Sequence, residues 1–167
     1  DNTRSRGLGD VYKRQGGIMK KLIWPFLIAI CAACAEQESQ QVQPTATGST
    51  YQMMTSYLEP AADKIWGSAG LIITEDGEVD LRPTTEEGWL NVINAATVVA
   101  EGGNLLLING YSPNEADWDA YSKGLTSAAL KARRAAESQD ADALFDAGGE
   151  IYNVCRACHN RYIERMD

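Results

Sequence analysis

The chain of 167 residues has one histidine, His159, so chemistry that needs two imidazoles has no donors to draw on. It has no apolar run of the roughly 20 residues that a bilayer span requires. The longest, Leu22–Ala33, includes Trp24 and Pro25 and is too short. It is poor in basic charge, with 15 Lys/Arg against 23 Asp/Glu and a formal net charge of −8. Six of those basic residues and two of the acidic ones precede Cys34, which leaves nine against 21, a net of −12, from Cys34 onward. Such a surface repels nucleic-acid phosphates and anionic lipid, so no nucleic-acid partner is expected. It leaves room for a basic protein partner. Convincing strand patterns and internal repeats are also missing.

What is present divides the chain. Met19-Lys20-Lys21 followed by the Leu22–Ala33 run and small residues has the form of a bacterial secretory signal peptide, assigned to 19–35. Residues 1–18 stand outside that form. Asp10–Gln15 resembles the translated end of a transposase adaptor used in sequencing libraries, and the alternative is a disordered extension. Cys31-Ala32-Ala33-Cys34 resembles a lipobox, with Cys31 where Leu is usual, which makes Cys34 a candidate lipid anchor. Ala33-Cys34-Ala35 equally fits ordinary cleavage to a soluble product. Both readings place the domain outside the cytoplasm, in the periplasm. Residues 36–50 are rich in Gln, Ser and Thr and read as a flexible linker. That leaves 51–167 as one domain large enough for a core.

Four helical segments are expected there. The first starts at Ser49/Thr50 and carries Tyr51, Met54, Leu58, Ala61 and Ile65 on an inward stripe at spacings of three and four. Pro60 should kink or interrupt it. Leu71–Pro83 reads as a connector whose acidic centre, Glu75–Asp80, lacks the spacing of a calcium-binding loop and is expected to be a solvated turn. The second segment opens on Thr84-Thr85-Glu86-Glu87, with capping-box spacing from Thr84 to Glu87. Its stripe is Trp89, Val92, Ile93, Ala96, Val99 and Ala100. The third opens on Ser112-Pro113-Asn114-Glu115, with Ser112 as N-cap. Its stripe is Trp118, Tyr121, Leu125, Ala128, Ala129 and Ala132. The fourth starts near Asp140 and places Leu144, Ile151, Tyr152, Cys155, Cys158, His159 and Tyr162 on or beside one face. The fold expected is all-α, an antiparallel four-helix bundle with covalent haem on its C-terminal helix.

The haem expectation comes from Cys155-Arg156-Ala157-Cys158-His159, the C-x-x-C-H pattern of c-type haem attachment. Two thiols must add across two vinyl groups on one edge of the porphyrin. Cysteines three apart on a helix share one side and match that edge. The following imidazole then reaches the iron as proximal ligand. Export and the single histidine agree with this reading. The competing readings are a Cys155–Cys158 disulfide, a thioredoxin-type dithiol and structural zinc. A mid-helix pair closes a disulfide poorly; the dithiol calls for a helix N-terminus after a strand; and zinc calls for a second Cys/His knuckle.

With C-x-x-C-H eight residues from the end of this sequence, on the last of four helices, the chain resembles the cytochrome c′ family, the class II c-type cytochromes. Tyr162, three residues after His159, resembles the aromatic that the family tends to carry there. The likeness spans roughly residues 50–166, and Pro60 is a departure that weakens the alignment of the first helix. The resemblance implies one covalent haem c and a distal position at Met54, filled in some members by an iron-ligating Met and in others by a non-ligand. It also implies homodimerisation through the first two helices. Tyr152 and Tyr162 are expected to pack on the proximal side. Arg156 and Arg161 face either haem propionates or solvent.

The distal side separates the functions. A Met54 thioether on iron favours the reduced state, raises the potential and suits an electron carrier that exchanges single electrons with redox partner proteins. Met53 is a rival ligand. Met166 lies on the proximal helix and is not expected to reach across the ring. Without a protein ligand the iron would present an open face to NO or CO, the gas-binding alternative. A weak peroxidase is a third reading, disfavoured by the lack of a second histidine; the protein is expected not to be an enzyme.

Overall fold

The structure, a computed structural model, describes residues 43–163. The expected extension 1–18, the signal segment 19–35 with Cys34, the first part of the linker and Met166 lie outside the described residues.

The described chain is mostly helical. Helix α1 comprises Thr50–Met53, a π-helical turn Met54–Leu58, and Glu59–Trp66. A hairpin follows, β1 (Leu71–Thr74) and β2 (Gly77–Asp80), then α2 (Glu86–Leu105), α3 (Ala116–Glu137) and α4 (Ala141–Tyr162). Each helix packs on its neighbour in sequence, and α1 also closes on α4. Among the described residues no helix is long and apolar enough to cross a membrane.

Local chemistry sets the boundaries. Ser49 caps α1 in a capping box: its Oγ accepts the Gln52 N–H, and the Gln52 side chain accepts the Ser49 N–H at 2.9 Å. Just ahead of it, within the expected linker, the Ala46 N–H bonds to the Asn109 carbonyl at 3.3 Å. Asp140 caps α4 through the Ala143 N–H at 3.0 Å, as its position suggested. Two caps differ from expectation. Thr85, not Thr84, caps α2, accepting the Gly88 N–H at 3.0 Å. Ser112 does not cap α3; its Oγ accepts the Asn114 N–H, Asn114 turns to a positive φ of 60°, and the helix begins four residues later at Ala116. Ser112 is engaged in its own turn and stands three residues before Glu115, the residue at the N-cap position.

The connector Leu71–Pro83 is also more ordered than its composition suggested. β1 and β2 pair antiparallel with Ile72 opposite Val79 and Thr74 opposite Gly77. The acidic turn is there, at Glu75-Asp76, but β-branched residues on its flanks pair across it. Gly77, at φ 134°, takes up backbone that an L side chain resists.

The core follows the expected stripes with local exceptions. Ile65, Val92, Val99, Leu144 and Ile151 are fully buried. In α1 the stripe is corrected at its start: Tyr51 is 73 % exposed, while Met53 is buried. Close approach of the helices depends on Gly103, where an added Cβ would lie 2.8 Å from the Ser122 carbonyl oxygen and 2.9 Å from the Thr126 nitrogen. Side chains also bridge helices. Trp118 Nε1 donates to the Leu106 carbonyl at 2.7 Å, and Trp66 Nε1 donates to that of Gly148 at 2.9 Å.

Candidate haem site

The inward face of α4 steps through Leu144, Gly148, Ile151, Cys155, Cys158 and Tyr162 at spacings of four and three. Leu144, Gly148 and Ile151 are buried, and so is Tyr162. Cys155 and Cys158 between them are only half-buried. The core opens there into a cavity of about 480 Å³. That volume falls within the roughly 300–1,000 Å³ of small-molecule and cofactor sites.

Cys155, Cys158 and His159 all line the cavity from α4, and Met54 lines it from α1. These are the four residues that the sequence assigned to haem attachment and iron ligation. Leu58, Val99 and Leu125, from α1, α2 and α3, and Leu106, just past the end of α2, supply apolar walls. The two cysteines are free thiols. Burial pushes the Cys155 thiol up from its ordinary value. Cys158 is pushed up from 9.0 to about 11, by burial first and by neighbouring Cys155 second. Both are therefore neutral S–H groups at neutral pH.

The aromatic residues separate. Tyr152 lines the cavity and meets Trp66 edge-on, with ring centroids 6.3 Å apart. Tyr162 is buried outside the lining. Its ring packs edge-on against Trp118 at 5.1 Å and Tyr121 at 6.4 Å, and its hydroxyl bonds to Glu115 at 3.1 Å. The structure thus brings Tyr152, but not Tyr162, to the cavity wall. Tyr121 stands between the two environments, lining the cavity and touching Tyr162.

The two arginines also part. Arg161 pairs with Asp117 at 2.8 Å and lies over the Tyr162 ring at 5.7 Å. Arg156 lies over the Tyr152 ring at 5.8 Å and lines the cavity. Of the two, Arg156 stands where a carboxylate in the cavity could meet it. Met53 does not line the cavity; it is buried beside Leu58 and Gly102, where an added Cβ on Gly102 would come 3.5 Å from the Met53 Cε.

Several lining residues were invisible as site residues in the sequence. Trp66 read as core, and Thr55, Leu106 and Ser122 carried no motif. Thr55 lines the cavity beside Met54, within the π-helical turn 54–58.

The donor set fits haem c. Two neutral thiols three residues apart share one wall with an adjacent imidazole, a thioether lies in the same lining, and most of the remaining surface is apolar. No protein-family model, no curated protein and no solved structure matches the chain.

Proposed function

We propose that this chain is a periplasmic mono-haem c-type cytochrome of the cytochrome c′ kind, an antiparallel four-helix bundle that carries single electrons. The reading rests on one observation. Met54 and the Cys155-x-x-Cys158-His159 motif, about a hundred residues apart in sequence, line the same cavity. Cys155 and Cys158 would hold the haem by thioethers, each S–H adding across a vinyl group, and His159 would be the proximal ligand. Met54 would be the distal ligand. The haem supplies the ferric/ferrous couple; the protein supplies axial ligands and burial, and so sets the potential.

Cys34 would anchor the chain to a membrane by lipid, or cleavage would release it soluble. Its acidic surface would suit a basic redox partner. A homodimer would follow the family resemblance.

The gas-binding alternative has one observation in its favour. The apolar wall of Leu58, Val99, Leu106 and Leu125 would give NO or CO a dry pocket if Met54 leaves the iron unbonded. Optical spectra of the haem-loaded protein, ferric, ferrous and ferrous with CO, test the two. Electron transfer through a His/Met haem predicts a low-spin ferric spectrum with a sulfur-to-iron band, lost in Met54→Leu and insensitive to CO in the parent. A high-spin spectrum that shifts readily with CO would overturn it and make gas binding the function.

A further inference from the structure

Helix α1 changes pitch at the cavity. Met54–Leu58 form a π-helical turn, in which the Glu59 N–H reaches the Met54 carbonyl five residues back. Met54, Leu58, Ala62 and Trp66 line the cavity in steps of four. A straight α-helix advances about 100° per residue, so each step of four drifts by about 40° and three steps by about 120°. Were α1 straight, Met54 would point well away from the line of Trp66. The π turn places one extra residue in a single turn and takes that drift out.

Pro60 stands two residues past the end of this turn. It has no N–H to donate, and in a continuous α-helix its ring would meet the carbonyl of Ser56. Both sides of the turn are fixed by packing. Leu58, Ala61 and Ile65 are buried after it, and Met53 is buried before it beside Gly102.

We infer that Pro60 is a positioning residue for the distal side of the haem. By excluding the straight helix it holds the π turn, and the π turn aims Met54 into the cavity and keeps Met53 in the core. This rests on the reading of the cavity as the haem site with Met54 facing it. If α1 straightened while Leu58–Trp66 stayed packed, the chain before it would advance by one residue. Met54 would then enter the Met53 position, and Thr55 would take the place of Met54.

The test uses the full haem-loaded chain with two readouts: the ferric sulfur-to-iron band, and the haem-induced shift of the 13C-labelled Met54 methyl, assigned with Met54→Leu. Pro60→Ala is expected to abolish the band and return the methyl to an ordinary position. Pro60→Ala combined with deletion of Ser56 removes the surplus residue from a straight helix, and is expected to restore both. Ser56 is exposed and does not line the cavity. A parent that lacks the band but shows a haem-shifted Met54 methyl, displaced by Pro60→Ala, would sink ligation by Met54 and uphold the positioning role. A Met54 methyl and band unmoved by Pro60→Ala would overturn the inference, as would loss in Pro60→Ala that the Ser56 deletion fails to repair.

Discussion

Cys158 is held as a neutral thiol by its half-buried place and by Cys155 beside it. Its proton is bound more tightly in the folded chain, at about 11, than at the ordinary value of 9.0 expected when unfolded. The stability this contributes is complete below about pH 9 and is lost as pH rises from there through about 11. Urea unfolding of the haem-free chain should therefore weaken between about pH 9 and pH 11, and by less in Cys158→Ala. An equal loss in both would show that Cys158 is not the group responsible. Gly103 makes a second residue-scale case. A methyl there meets the Ser122 and Thr126 backbone of α3, which cannot yield as a side chain can. Gly103→Ala should cost about 1–3 kcal/mol in chemical denaturation. Ile151→Ala, emptying a fully buried position next to the cavity wall, should cost about 2–5 kcal/mol.

At the scale of elements, caps and hairpin differ in what they contribute. Asp140→Ala removes the acceptor of the Ala143 N–H and should cost about 1 kcal/mol. Ile73→Thr in β1 should change stability by no more than about 0.5 kcal/mol, because Ile73 is 72 % exposed and packs on no core. Thermal unfolding of both variants checks the contrast. The long stripes of α2, α3 and α4 were legible in the sequence because a buried helix face imposes a 3.6-residue period that composition records directly. The hairpin was not, because its strands are short and exposed on both faces, so neither alternation nor burial marks them. Ser112-Pro113 misled for a different reason: a hydroxyl suited to capping can also close a local turn, and sequence does not say which amide it takes. In α1, Pro60 announced an irregularity without its form. That form is a π turn at Met54–Leu58, which no spacing of apolar residues specifies by itself. Met53 is buried there, and Tyr51 is largely exposed at the edge of the cavity, against the simple stripe.

The whole molecule brings together what no local pattern could. The C-x-x-C-H motif was legible by itself, and Met54 stood out as the first helix's inward methionine. That both line one cavity of about 480 Å³ is a property of packing across four helices. A cavity of this size, walled by leucine, valine and thiol groups, forfeits the contacts that a filled core would make. Haem loading should therefore raise the melting temperature markedly over the haem-free chain. Equal melting temperatures would speak against this cavity as the haem site.

The central claim is covalent attachment of haem at Cys155 and Cys158. Its most direct test is the intact mass of the full chain after expression in a host with haem-attachment machinery. The account predicts the added mass of one haem, retained on denaturation and absent from the Cys155→Ala, Cys158→Ala double variant. A chain that emerges from that host at its unmodified polypeptide mass would contradict it.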